Sequence, residues 1–341
     1  MFNPFKICKR KPLRFFSSIA LFGGVFYFFV FFTSSFLYPK LPSEKNPIIL
    51  YSNQVGDDLK KIFLRAIKQT KSSIFLQIYG FTEDDLIASL AKAHAKGIFT
   101  EIFYDPSASK ALQKKLPQAI PLSCKGLMHK KILVSDQTTS FIGTANFTQT
   151  SLCMHDNLVI GLYHKELALF LESSLENHLF FTIAGQRAEF WHLPDLQHQC
   201  LNRVIHSLQE AKKSIYIALF AFTHKKIIQE LILAKKRGVQ VFVALDFYNA
   251  QGSGKKTIVT LLEADIPLWI SPGGGKLLHH KWCSIDEQTL LLGSTNWTQS
   301  AFTKNEDCLL ILQDLTRPQN ICIRKIWKSI ESNSIRKTLK N

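Results

Sequence analysis

The feature that most restricts what this chain can fold into is a pattern it carries twice. His129-Lys130-Lys131-Ile132-Leu133-Val134-Ser135-Asp136 is followed by Gly143-Thr144-Ala145-Asn146. His279-His280-Lys281-Trp282-Cys283-Ser284-Ile285-Asp286 is followed by Gly293-Ser294-Thr295-Asn296. Each copy reads H-x-K-x4-D and then G-[ST]-x-N, and His, Lys, Asp and Asn all recur at an offset of 150 residues. One such pattern could be accident, but two with the same downstream spacing mean an internal duplication.

The flanks repeat as well. Leu59, Ile62, Phe63, Ala66 and Ile67 share a helical face, and Ser73–Tyr79 is a short apolar run of strand character. Asp84–Lys96 reads as a helix with Leu86, Ile87, Leu90 and Ala91 inward and Gly97 as its stop. Ile98–Tyr104, a strand ending in Asp105, completes a strand–helix–strand unit. The second copy answers with a helix over Leu201–Ala211 (Val204, Ile205 and Leu208 inward) and a strand over Ser214–Phe220. A helix over Lys226–Lys236, stopped by Gly238, and a strand over Val239–Leu245, ending in Asp246, follow it.

In these flanks the offset is 141, so the second copy holds nine extra residues before His279. They are assigned to the Gly-rich stretches Asn249–Lys256 and Gly273–Lys276, in loops that commonly border a site. Leu167, Phe170, Leu171 and Leu175 mark a closing helix in one copy; Ile323, Ile326, Trp327 and Ile330 mark one in the other. The expected fold is α/β, with two mixed-sheet halves (48–186 and 187–341) related by a pseudo-twofold axis. Phe147 and Trp297, just after the asparagines, read as core aromatics.

The N-terminus is of another kind. Lys6, Lys9, Arg10, Lys11 and Arg14 precede Phe15–Tyr38, which holds 24 residues without a charge. As a helix that stretch spans roughly 30 Å of hydrocarbon. The expectation is a basic cytoplasmic segment (1–14), a transmembrane anchor (15–38) and a linker (39–47), with the rest periplasmic or lumenal. Cleavage as a signal peptide, leaving a secreted protein, is the alternative. The apolar run is longer than the usual 7–15 residues and ends Ser-Phe-Leu-Tyr-Pro, which favours the anchor. The net charge of +16 suits a phosphate-bearing partner, whether nucleic acid or anionic lipid. Seven scattered Cys contain no C-x2-C pair, so neither a zinc site nor a disulfide framework can be argued from spacing.

Each His-Lys stretch reads as a buried strand, on which residues two apart share a face. An imidazole beside an ammonium suits a phosphate: the lysine neutralises the anion while the imidazole attacks or protonates. Within the doublets, His279 and Lys131 hold the right spacing, rather than His280 and Lys130. Asp136 and Asp286 end their strands and read as turn formers, structural members of the motif. Asn146 and Asn296 sit in tight turns where an amide could donate to a phosphate oxygen.

With these residues in place, the chain resembles the phospholipase D superfamily, whose mark is HxKxxxxD followed by G-[ST]-x-N. The likeness covers roughly residues 50–335 and both motifs are intact. It implies that the halves bring their motifs into one active site with no metal and no cofactor. One His forms a phosphohistidine and the other protonates the leaving oxygen. The family's usual assignment makes His129 the nucleophile and His279 the acid, with Lys131, Lys281, Asn146 and Asn296 on the phosphoryl oxygens. An acidic residue orients each His, a role that falls on Asp156 and Glu306, which align at the offset of 150. The first copy has Asp where Glu is more usual, which shortens its reach.

The expected partner is a phospholipid phosphodiester at a membrane, hydrolysed or used for phosphatidyl transfer. Nucleic acid is the alternative substrate, and a non-enzymatic phosphate-binding membrane protein a third reading. With both motifs in one chain, a monomer suffices.

Overall fold

The computed structural model describes residues 39–173, 176–195 and 197–338. The basic segment 1–14 and the expected membrane span 15–38 lie outside the described residues, as does Leu175. Among the described residues no helix is long and apolar enough to cross a membrane.

The first half runs β1 (Ile48–Tyr51), α1 (Leu59–Gln69), β2 (Ser73–Ile78), α2 (Asp84–Ala95), β3 (Phe99–Tyr104), α3 (Leu112–Lys115) and β4 (Ile120–Pro121). It continues with β5 (Lys131–Ser135), β6 (Thr139–Gly143), α4 (Gln149–Cys153), β7 (Val159–Tyr163) and α5 (Lys165–Ser173). The second half runs β8 (His178–Ile183), β9 (Gln186–Leu193), α6 (Gln199–Glu210), β10 (Ser214–Leu219), α7 (Lys225–Lys236), β11 (Gln240–Leu245), α8 (Phe247–Gln251) and α9 (Lys255–Glu263). After it come β12 (Leu268–Ile270), β13 (Lys281–Ile285), β14 (Thr289–Gly293), α10 (Gln299–Thr303), β15 (Asp307–Gln313), α11 (Arg317–Asn333) and β16 (Ile335–Lys337).

The first sheet has the order β1-β7-β6-β5-β2-β3-β4, and the second β16-β12-β11-β10-β13-β14-β15-β9-β8. Set β9 against β1 and the seven inner strands of the second sheet repeat the first. Both sheets are mixed: β2 pairs β3 in parallel and β5 antiparallel, as β10 pairs β11 and β13. A division drawn at residue 186 leaves β8 with the first half, whereas among the described residues it pairs with β9 of the second sheet.

Local chemistry explains the repeated elements. Asp58 caps α1 by accepting from the Lys61 N–H, and α1 buries Leu59, Ile62, Phe63, Ala66 and Ile67. Helix α2 buries Ala93 with Leu86, Ile87 and Leu90, while Ala91 is only half-buried. In α6, Val204 and Leu208 face inward and Ile205 is half-buried. The strand expected to start at His129 starts at Lys131. The β5–β6 and β13–β14 turns place Asp136, Gln137, Asp286 and Glu287 at φ of 52–57°, a left-handed geometry that short polar residues tolerate.

Strand alternation sorts the core into three layers. Leu133 joins Ile74, Leu76 and the buried faces of α1 and α2 on one side of the first sheet. Cys283 and Ile285 join α6 and α7 on the outer side of the second. Between the sheets lie Ile132, Val134, Ile142 and Ile160 from one half and Trp282, Leu290, Leu292 and Leu310 from the other, closed by α5 and α11. Sheets buried on both faces need near-continuous apolar strands, and Ile132-Leu133-Val134 is one. Trp327 of α11 anchors this layer, edge-on to Trp269 at 5.4 Å and to Tyr216 at 5.1 Å. Phe147 and Trp297 are buried, packed edge-on against Phe81 and Phe222. The longer second half carries α8 and α9 where the first has only α3, and Gly273, Gly274 and Gly275 all take positive φ.

Candidate active site

His129 and His279 lie in the loops just before β5 and β13. Each loop is tied down by the aspartate that ends a neighbouring strand. Asp105 Oδ2 accepts from the Met128 N–H at 3.0 Å, and Asp246 Oδ2 accepts from the Leu278 N–H at 3.0 Å. Each loop is also clasped by the other half. The His129 N–H donates to the Glu306 carbonyl at 2.7 Å and the Glu306 N–H to the Leu127 carbonyl at 2.9 Å; the Asp156 N–H donates to the Leu277 carbonyl at 2.9 Å.

That crossing sets the partners of the histidines. His129 Nδ1 lies 2.8 Å from Asp307 Oδ1, and His279 Nδ1 lies 3.0 Å from Asn157 Oδ1. Residues 157 and 307 are equivalent by the offset of 150, so each ring is oriented from the opposite half. A hydroxyl braces each partner: Ser294 Oγ donates to Asp307 Oδ1 at 2.6 Å and Thr144 Oγ1 to Asn157 Oδ1 at 2.8 Å. Ser294 and Thr144 are the second residues of the two G-[ST]-x-N runs. The glycines before them are required by close approach. A Cβ on Gly293 or Gly143 would strike the Cys308 or Leu158 carbonyl oxygen on the next strand.

Asp156 and Glu306, expected to orient the rings, do not touch them. Asp156 pairs with Lys276 at 2.8 Å and Glu306 with Lys130 at 3.1 Å. Successive residues of an extended chain point to opposite sides, so a shift of one residue turns the side chain away from the ring. Lys131 and Lys281 are buried; each Nζ donates to the carbonyl of its own motif histidine and lies 5.0 Å over a ring, of Tyr79 and Phe220 respectively. Those same two rings pack against His129 and His279, with centroids 5.1 Å and 5.3 Å away.

The doublets resolve by direction. His280 Nε2 pairs with Gln54 Oε1 at 2.8 Å, outside the cluster. Asn146 Oδ1 accepts from the Gly80 N–H at 3.3 Å and Asn296 Oδ1 from the Ala221 N–H at 3.2 Å, which turns each amide nitrogen away from the backbone it caps. Asp136 and Asp286 sit at the far ends of β5 and β13, about 17 Å along the strand from the lysines. Asp286 accepts from the N–H groups of Lys212, Lys213 and Ser214 at 2.7–2.8 Å, and Asp136 does the same for 71–73, so both fasten the turn before β2 or β10.

Burial dominates the electrostatics. It pushes Lys131 down to about 7 and Lys281 well below its ordinary value, with Lys131 adding to the push on Lys281. His129 is lowered to about 4 by burial and Lys131, against the pull of Asp307. His279 is lowered well below its usual value by burial, then Lys281, Lys131, His129 and His155. Burial would raise Asp307, but His129, Lys131 and Ser294 hold it below the usual carboxylate range. A bound anion would favour the charged lysines and one imidazolium beside a neutral imidazole. Among the described residues no group of three or more His, Cys, Asp or Glu could hold a metal ion.

Comparison with known proteins adds four findings. The family model described as cardiolipin synthase, PLD-like domain, matches residues 63–179 and again 204–326, once per half. The chain is 28% identical over 142 residues to the mitochondrial cardiolipin hydrolase of Danio rerio, covering 41% of this chain and 62% of that protein. It is 24% identical over 200 residues to a phospholipase D of Rickettsia prowazekii, covering 55% of this chain and 96% of that one. In fold it resembles the phosphatidylserine synthase of Haemophilus influenzae, with a TM-score of 0.67 over 87% of this chain and 89% of that one, at 12% identity.

Proposed function

The chain belongs to the phospholipase D superfamily, and from that premise we propose that it is a phosphodiesterase acting on phospholipids through a covalent phosphohistidine. The phosphatidyl group passes to water or to another alcohol. The observation that carries this reading is the crossed pairing of His129 with Asp307 and His279 with Asn157, which leaves each Nε2 as the reactive nitrogen.

A phosphodiester's leaving alkoxide is poor, so the reaction gains from an imidazole nucleophile and from a second imidazole that donates a proton. One Nε2 lone pair attacks phosphorus while the P–O bond to the leaving group breaks; the departing oxygen takes the proton from the other Nε2. Water or an alcohol then loses its proton to that second imidazole and attacks phosphorus, and the P–N electron pair returns to the first ring. Lys131, Lys281 and the amide nitrogens of Asn146 and Asn296 are the donors for the equatorial oxygens as charge builds there.

The lipid reading is supported by the cardiolipin-synthase character of the matched model and by relatives that are a cardiolipin hydrolase and a phospholipase D. An anchor at 15–38, with the remainder periplasmic or lumenal, would set the site beside a bilayer. The charge of +16 favours a second reading, cleavage of nucleic acid. Vesicles of cardiolipin and phosphatidylcholine in buffer with ethanol separate the two, with labelled single-stranded DNA and RNA in parallel. Phosphatidylethanol made by the intact chain and absent with His129→Ala is the expected result. Nucleic acid cut while the lipid stays whole refutes the lipid reading.

A further inference from the structure

The two histidines have different partners, and we propose that this difference, Asp307 behind His129 and Asn157 behind His279, is what divides the labour between them: the ring backed by the carboxylate takes the phosphoryl group, and the ring backed by the amide carries the proton. The inference rests on the phosphohistidine reading above.

The hydrogen bonds fix both tautomers. Asn157 Nδ2 donates to the Ser151 carbonyl at 2.7 Å and the His155 carbonyl at 3.1 Å, so its Oδ1 must be the atom that faces Thr144 and His279. An acceptor at that place requires the hydrogen of His279 to be on Nδ1. Asp307, held in its anionic form, is likewise an acceptor only, so His129 also carries its hydrogen on Nδ1. Both rings therefore present Nε2. What differs is the charge behind them.

Attack turns a neutral imidazole into an N-phosphoryl imidazolium, with one bond at Nε2 and a hydrogen on Nδ1. That ring gains a positive charge, and a carboxylate 2.8 Å from Nδ1 stabilises it far more than a neutral amide does. Proton donation runs the other way. The acid starts as imidazolium and ends neutral, so a partner that stabilises the cation weakly makes the proton easier to give. The charges that weigh most on His279 are Lys281, Lys131, His129 and His155, all opposing its imidazolium, while the carboxylate of Asp246 is engaged one residue away by the Leu278 N–H. Those that weigh most on His129 are Lys131 and Lys281, which oppose its charge, and Asp307, which favours it and touches the ring directly. A bound anionic phosphodiester favours the His279 imidazolium that gives the proton.

The roles should follow the partners rather than the histidines. The test uses the full chain with the same cardiolipin vesicles, quenched in alkali to preserve P–N bonds, with the modified peptide located by mass spectrometry. Wild type is expected to carry the adduct on His129, and the exchange variant Asn157→Asp/Asp307→Asn to carry it on His279. An adduct on His279 in wild type, or one still on His129 in the folded exchange variant, overturns the inference. Lipid turnover with no adduct on either histidine instead sinks the phosphohistidine reading beneath it.

If the exchange variant does not fold, the single variants decide. Asp307→Asn should slow adduct formation by about 10³-fold or more. Asn157→Asp should cost about tenfold or less and move the alkaline limb of the kcat profile upward, as its carboxylate stabilises the His279 imidazolium of the substrate complex. Equal losses with an unmoved limb overturn the inference.

Discussion

Replacing Gly293 with alanine should damage the site from one strand away. The new Cβ would sit 3.1 Å from Leu309 Cα and well inside the contact distance of the Cys308 carbonyl oxygen. A carbon–oxygen contact needs about 3.3 Å, so β14 and β15 must part by about 1 Å at this rung. Ser294 and Asp307 flank the same rung. Adding about 1 Å to their 2.6 Å hydrogen bond takes it beyond useful reach and lets the Asp307 carboxylate drift from His129. Overpacking of this size costs about 2 kcal/mol, a fall in Tm of about 3 °C for a unit of this length. Misplacing a catalytic ring by about 1 Å costs about 100-fold in turnover. Thermal melts and initial rates on cardiolipin vesicles measure the two effects separately. Gly293→Ala with wild-type melting and wild-type rate would refute the reasoning, because the strands would then tolerate a side chain where the geometry allows none.

Two further outcomes are expected. Asp156→Ala and Glu306→Ala should each change turnover by less than about tenfold, since they break only partly exposed ion pairs, whereas Asp307→Ala should cost far more; equal losses in rate assays would return the orienting role to the neighbours. His192, buried against Phe170 with both ring nitrogens unpartnered, is lowered by burial to about 3. Its folded value lies below the unfolded one, so between pH 6.5 and 3 the unfolded chain binds a proton that the folded chain refuses, and stability falls as pH falls. His192→Leu should remove about 1–2 kcal/mol of that loss at pH 5, and denaturant titrations in which wild type and variant lose equal stability between pH 7 and pH 5 would count against it.

The repeat, its helix faces and most of its strands were legible because each is a local pattern. The offsets of 141 and 150 located the duplication, and the apolar faces of α1 and α11 named their own buried residues. The short β1 and the hairpin β8–β9 were not recognised: they add to sheet edges by pairing with β7 and β15, a partnership no local periodicity announces. The orienting residues were misread by one position for the same reason. Glu306 and Asp307 are adjacent acids, and only the phase of the strand that crosses between the halves says which faces His129. In the other copy the residue that faces the ring, Asn157, is an amide and carries no acidic signature. One signal was available. Thr144 and Ser294 both carry a hydroxyl just after the motif glycine, and each braces the residue 13 positions on, Asn157 or Asp307.

The crossed clasp also puts a clock on the protein. His129 and the carboxylate that orients it are separated by 178 residues. At about 5–20 residues per second of synthesis, the ring waits roughly 10–35 s for its partner to be made. A chain cut short anywhere in that interval lacks Asp307 and leaves the His129 ring without the carboxylate that orients it. Each half withholds from itself the residue it supplies to the other, so the chemistry starts only when the last strands close, and a fragment released early is inert toward any phosphodiester it meets.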